Sequence, residues 1–326
     1  MSDLCDIGII GLGTMGGNLA RHVLEQGISV AGVDVGEVPD DLTAAGLRRV
    51  EGTRELPAAL KAPRAVFIYV PAGPAVDSVI DEVADVLEAK DVIVDGGNSY
   101  WGDSVRRHER LRERGLGFVD LGTSGGGEGA REGACFMAGG DADAMERVEP
   151  VLRAIAVEGG FVHAGPPGSG HFVKLVHNGI EFGMLQAIGE GVALLEAFFG
   201  RDDERIRPVL EVWRHGSVIR SWLIDLMAEA YREHGGLADI PPYVEDTGEV
   251  NWLVTDAIAR EVPIPVISQS VMALLASRDQ DQPWARAVAA MRHGFGGHPF
   301  GPDAGIARER RQGRVGPFMP PETPDR

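Results

Sequence analysis

Ile7-Gly8-Ile9-Ile10-Gly11-Leu12-Gly13-Thr14-Met15-Gly16 is an apolar run that empties into a glycine turn, and it decides the fold. Cys5 to Ile10 reads as a strand, Gly11 to Gly16 as a turn, and Asn18 to Gln26 as a helix stopped by Gly27. Ile28 to Val33 then reads as a second strand ending at Asp34. Taken alone the GxGxxG pattern is weak, because with 45 glycines in 326 residues about one match is expected by chance. Its placement between a strand and a helix gives it force. Glycine backbones there let a pyrophosphate approach, and the positive end of the helix attracts it.

Gly11, Leu12, Gly13, Thr14, Met15 and Gly16 are therefore candidate contacts for a dinucleotide. Asp34 follows the second strand, where an acidic group accepts the ribose 2′-hydroxyl of NAD and repels a 2′-phosphate. No Arg or Lys lies between Ser29 and Leu47, so NAD is the expected cofactor. The alternative role for Asp34 is to cap the turn before Val35-Gly36.

Strand–helix alternation continues outward from this unit. Ala65 to Val70 leads into Pro71-Ala72-Gly73, Val92 to Val94 into Asp95-Gly96-Gly97-Asn98-Ser99, and Gly117 to Leu121 into Gly122-Thr123-Ser124-Gly125-Gly126. Ligands bind at the carboxyl edge of such a parallel sheet, which puts Val70, Pro71, Ala72, Asn98 and Ser124 at the mouth. Phe136–Ala138 and Phe161–His163 are candidate closing strands. The expected class is α/β: a Rossmann-type doubly wound sheet in residues 1–166, then an all-α substrate and dimerisation domain in 167–300 built around one long helix. Residues 301–326, rich in Pro, Gly and Arg, read as an extended or disordered tail.

That long helix spans Ser169 to about Phe199 and carries Lys174, His177, Asn178 and Glu181. Spacings of 3, 4 and 7 place the four on one stripe. The rest of its surface is apolar (Phe172, Val173, Val176, Ile180, Met184), so the stripe faces something inside rather than bulk water. A Lys in such a setting is driven toward its neutral form and becomes a usable base. Shorter helices are expected near 203–215, 220–232, 252–260, 264–276 and 284–293.

Composition bounds the partners. A formal charge of −18 argues against nucleic acid or an anionic membrane as partner, since both need a basic surface. No apolar run approaches the roughly 18 residues of a membrane span, and no basic, apolar leader is read ahead of the first strand. The two cysteines, Cys5 and Cys135, form no CxxC or Cys/His cluster; neither a metal site nor a disulfide framework is expected, and a reducing cytoplasm fits best.

Four motifs stand in one order: Gly11-Leu-Gly-Thr-Met-Gly16, Val94-Asp-Gly-Gly-Asn-Ser99, Ser124-Gly-Gly126, and Gly170-His-Phe-Val-Lys174-Leu-Val-His177-Asn178-Gly-Ile-Glu181. In this the chain resembles the decarboxylating 6-phosphogluconate dehydrogenases, and its length resembles their short NAD-linked form. The resemblance implies Lys174 as general base and Glu181 as general acid, with Asn98, Ser124, Gly125, Gly126, His177 and Asn178 around the sugar acid. It further implies Arg278 as a phosphate ligand, and a homodimer in which Arg292 and His298 complete the partner's site. Two departures stand out: Phe182 replaces a phosphate-binding Tyr, and the loop Glu245-Asp-Thr-Gly-Glu-Val-Asn251 lacks an expected basic residue. Competing readings are a non-decarboxylating β-hydroxyacid dehydrogenase, a dehydrogenase of another sugar acid, and a catalytically idle NAD-binding regulator.

Overall fold

The computed structural model describes residues 4–312. Eight strands form one sheet: β1 (Ile7–Ile10), β2 (Val30–Val33), β3 (Arg48–Arg49), β4 (Ala65–Ile68), β5 (Val92–Asp95), β6 (Gly117–Ser124), β7 (Ala134–Gly140) and β8 (Ala156–Gly165). Their order is β3-β2-β1-β4-β5-β6-β7-β8. Every neighbouring pair is parallel except β6 with β7, so the last two strands run against the rest. The expected closing strands are present and longer than their apolar centres suggested.

Seven helices accompany the strands: α1 (Thr14–Glu25), α2 (Asp40–Ala44), α3 (Leu56–Ala59), α4 (Pro74–Ala84), α5 (Trp101–Arg112), α6 (Gly126–Glu132) and α7 (Ala142–Ile155). Side chains alternate across a strand, and here they alternate between two cores. Ile7, Ile9, Ala65, Phe67, Val92 and Val94 enter one cluster, while Ile10, Val66, Ile68 and Ile93 enter the other. Both faces are covered, which is why these strands read as unbroken apolar runs. Fully buried side chains such as Phe67, Phe118 and Phe136 each contribute about 1.5–3 kcal/mol.

After the sheet come α8 (Ser169–Phe199), α9 (Asp203–Trp213), α10 (Trp222–His234), α11 (Glu249–Ala259), α12 (Pro265–Arg278), α13 (Pro283–Gly296) and α14 (Ala304–Gln312). The 31-residue α8 has the length the sequence indicated. It starts against the sheet at a point where only glycine fits: a Cβ on Gly170 would lie 2.4 Å from the Asp120 carbonyl and 2.6 Å from that of Met137. Buried Asp120 holds the helix start, accepting from the N–H groups of Gly168 (2.6 Å) and His171 (2.8 Å).

Two expectations need correction. Among the described residues α8 is long and apolar enough, by length and composition alone, to cross a membrane. Its apolar residues are spread around polar ones, so it does not stand out as a continuous run. The segment after residue 300 is not wholly extended. Asp303 accepts from the Ile306 N–H at 2.9 Å, an N-cap that starts α14; residues 313–326 of the expected tail lie outside the described residues. By backbone contacts the chain divides into two compact units. One unit is Met1–Pro241 with Glu245–Ala273; the other is Pro242–Val244 with Leu274–Arg326. The close seat of α8 on β6 and β7 joins the sheet and the helices α8–α11 in the first unit.

Candidate active site

A cleft of about 1440 Å³ opens in the first unit at the carboxyl edge of the sheet. Its nucleotide end is built by glycine geometry. Gly11 has φ +89°, and a Cβ there would sit 2.2 Å from the Tyr69 carbonyl; one on Gly16 would sit 1.9 Å from the Gly11 carbonyl. Both glycines let α1 and β4 close on the turn. A Cβ on Gly13 would meet nothing within 4 Å, so the turn's outer face is open to a ligand. No side chain caps α1 and no acidic residue occupies its first turn, which leaves its N–H groups and positive end for an anion.

Gly13, Thr14, Met15 and Gly16 line the cleft together with Val70, Pro71, Ala72 and Asn98. Gly11 and Leu12 do not line it. Asp34 lies at the end of β2 and fulfils the alternative role read from sequence: one carboxylate oxygen accepts from the Leu12 N–H and the other from the Gly36 N–H at 2.7 Å. Each carboxylate oxygen has a further lone pair, so capping and binding a ribose hydroxyl are compatible.

At the other end, Lys174, His177, Asn178 and Glu181 all face the cleft from α8, as their spacing requires. Gly122 makes room for this face, since a Cβ there would lie 2.4 Å from Lys174 Cβ. The Lys174 ammonium makes no hydrogen bond or ion pair with a described residue. Burial pushes its pKa below the ordinary 10.5, opposed chiefly by the charge of Glu181 and then by Cys135 and Glu249. Ser124 Oγ lies 2.9 Å from His177 Nε2, and His177 Nδ1 lies 3.2 Å from Asn178 Oδ1 and 3.8 Å from Glu181 Oε2. With Nδ1 donating to the Asn178 oxygen, Nε2 accepts the Ser124 hydroxyl, and the imidazole is fixed between strand and helix.

Ser124, Gly125 and Gly126 join this end, as does Phe182, whose ring has no donor for an anion. Arg278, Arg292 and His298 belong to the second unit. There Arg278 Nε donates to the Val244 carbonyl (2.6 Å), and His293 Nδ1 lies 2.8 Å from the His298 carbonyl.

The sequence reading missed several residues here. Tyr100 and Trp252 line the cleft, and Asp256 accepts from Tyr100 Oη (3.3 Å) and Trp101 Nε1 (2.6 Å). A separation of 155 residues leaves no local signal for that contact. Thr247 and Glu249 also line the cleft, with Thr247 Oγ1 donating to Glu249 Oε1 at 2.6 Å. Among the described residues no group of His, Cys, Asp and Glu could hold a metal ion.

An open glycine turn at a helix N-terminus, facing the same cleft as a desolvated lysine, defines a nicotinamide-dinucleotide-binding oxidoreductase. Residues 6–165 match the family model described as the NAD binding domain of 6-phosphogluconate dehydrogenase, and residues 170–300 match that of the 6-phosphogluconate dehydrogenase C-terminal domain. The chain belongs to the 6-phosphogluconate dehydrogenase family.

It is 40% identical over 295 residues to an NAD(+)-dependent, decarboxylating 6-phosphogluconate dehydrogenase of Haloferax volcanii, covering 90% of this chain and 97% of that one. It is 35% identical over 291 residues to an NADP(+)-dependent, decarboxylating enzyme of Bacillus subtilis, covering 85% of this chain and 62% of that one. The solved 6-phosphogluconate dehydrogenase of Plasmodium falciparum superposes with a TM-score of 0.78 at 29% identity, over 92% of this chain and 67% of the other.

Proposed function

We propose that this protein catalyses the NAD-dependent oxidative decarboxylation of 6-phosphogluconate to ribulose 5-phosphate, CO2 and NADH, as a short NAD-linked member of its family. The observation that carries the reading is Lys174: an ammonium desolvated in the cleft, without a direct anionic partner, on the same helical face as Glu181. The open turn at Gly13 fits a dinucleotide, with Gly13–Gly16 at its pyrophosphate, Asp34 at its ribose, and Val70–Ala72 and Asn98 along its length. A bound nicotinamide would supply the hydride acceptor for C3 of the sugar acid.

Neutral Lys174 takes the proton of the C3 hydroxyl. The resulting ketone lies β to the carboxylate, so the electron pair released with CO2 delocalises into the carbonyl. Protonated Lys174 then donates to that oxygen and stabilises the enediol. Glu181, two turns and about 10 Å further along the axis, in its acid form protonates the enediol carbon that was C2 of the sugar acid and becomes C1 of ribulose 5-phosphate. Ser124, His177 and Asn178 orient the hydroxyls and carboxylate. Arg278 binds the phosphate, and in a homodimer Arg292 and His298 complete the partner's site.

The preference for NAD rests on the Asp34 carboxylate and on the absence of Lys or Arg between Ser29 and Leu47. The deciding experiment measures NADH and CO2 together, with 6-phosphogluconate, gluconate and short hydroxyacids, under NAD and under NADP. Equal NADH and CO2 with 6-phosphogluconate and NAD is the expected result. NADH without CO2 would point to a non-decarboxylating dehydrogenase, and dinucleotide binding without any turnover to a regulator.

A further inference from the structure

Asp95 ends β5 with a carboxylate that is fully buried, and the chain wraps round it into the cleft wall Gly96-Gly97-Asn98. Asp95 Oδ1 accepts from the Gly97 N–H at 3.1 Å and Oδ2 from the Ser99 hydroxyl at 2.8 Å. A buried carboxylate needs a counter-charge. Arg107 supplies it: only 1% exposed, it donates from Nη1 to Asp95 Oδ2 at 3.0 Å.

The same guanidinium also reaches the neighbouring wall. Nε donates to Asp77 Oδ1 (2.9 Å) in the first turn of α4, and Nη2 donates to the Gly73 carbonyl (3.4 Å) at the end of Val70-Pro71-Ala72-Gly73. Both walls line the cleft while Arg107 stands behind them. Its position is deliberate in pattern: Ser104, Arg107 and Leu111 are the buried residues of α5, at spacings of 3 and 4 where a helix normally buries apolar groups. Arg106 and Arg110, on the same helix, are half exposed and pair outside with Asp103, Asp77 and Asp81.

We propose that Arg107 is a positioning residue for the dinucleotide. One planar fork joins Gly73 and Asp77, around the start of α4, to Asp95 at the end of β5, and so sets the distance between the Val70–Gly73 and Gly96–Asn98 walls. A lysine brings the charge but not the fork. The proposal rests on the reading of this cleft as the cofactor site.

The test compares the full-length protein with Arg107→Lys and Asp77→Asn, using calorimetric titration with NAD, KM for NAD and for the sugar acid, and thermal unfolding. Arg107→Lys is expected to raise both the NAD Kd and its KM about tenfold, while the sugar-acid KM changes much less. Asp77→Asn keeps an acceptor oxygen but removes the carboxylate charge that Arg107 Nε faces, and is expected to move the same constants in the same direction by a smaller factor. A lower unfolding temperature with unchanged NAD constants would make Arg107 purely structural and overturn the proposal, as would an equal rise in both KM values. Should Arg107→Lys fail to fold, the partly exposed Asp77 decides, and an unchanged NAD KM in Asp77→Asn sinks the idea. If the unaltered protein binds no dinucleotide, the cofactor reading falls and takes this inference with it; normal binding with insensitive variants overturns the inference alone.

Discussion

Lys174 is useful because the surroundings deny it an easy charge. Its pKa lies below 10.5 through burial, so the neutral, proton-accepting form is populated at lower pH than in an ordinary lysine. The acid limb of kcat/KM is expected to rise with pH through that depressed value and to vanish in Lys174→Met, which should lose about 10²–10⁴-fold in turnover while still binding NAD. Stability carries the same sign. The folded chain holds this proton less tightly than the unfolded chain, so a penalty is full at low pH and fades as pH rises toward 10.5. An acid limb unmoved by the substitution would assign the proton transfer to another group. Phe182 offers a second check: Phe182→Tyr restores a donor in the cleft and is expected to lower the KM for 6-phosphogluconate by about tenfold, the equivalent of one hydrogen bond to a charged group at about 1.5 kcal/mol. An unaltered KM would mean that the phosphate lies elsewhere.

At the scale of elements, α8 turns a linear spacing into a site, and glycine decides how near it comes to the sheet. Gly170→Ala would drive a Cβ into backbone atoms of Asp120, Met137 and Gly139; such overpacking costs about 1–3 kcal/mol, read as a lower denaturant midpoint. Gly122→Ala pushes instead on the Lys174 side chain, and the expected loss is in kcat before stability. Equal stability of Gly170→Ala and the unaltered protein would show that α8 can shift without cost. These elements also show what a sequence can disclose. The turn at Gly11–Gly16 and the stripe from Lys174 to Glu181 were legible because each depends on a local period. Two closing strands were visible only at their apolar centres, and α14 was hidden because its Asp303 cap sits among glycines and prolines. The Asp256 contact with Trp101 was illegible, for nothing near either residue announces the other. Arg107 went unread, for its partners Asp77 and Asp95 lie on other elements and the helix carries three further arginines, Arg106, Arg110 and Arg112.

For the molecule as a whole, the end of α8 presents two apolar groups one turn apart that no described residue covers: Leu194 is 72% exposed and Phe198 82%. Large exposed apolar side chains that share a helical face fit an interface, and the proposed homodimer supplies a matching occupant. Sedimentation is expected to show a species of twice 34.8 kDa. Leu194→Glu combined with Phe198→Glu should shift it toward monomer and depress turnover together, if Arg292 and His298 complete the neighbouring copy's site. A fully active monomer would remove the partner from the mechanism.

Asp34 carries a last consequence. Both its oxygens already serve the peptide N–H groups of Leu12 and Gly36, so this carboxylate is a rivet of the turn as well as the proposed reader of the adenosine ribose. Exchanging it for a cation to welcome a 2′-phosphate would strip two amides of their acceptors in the same stroke. With Asp34 as the proposed reader, coenzyme choice is welded to loop architecture, and redesign has to rebuild the bend before it can rewrite the preference.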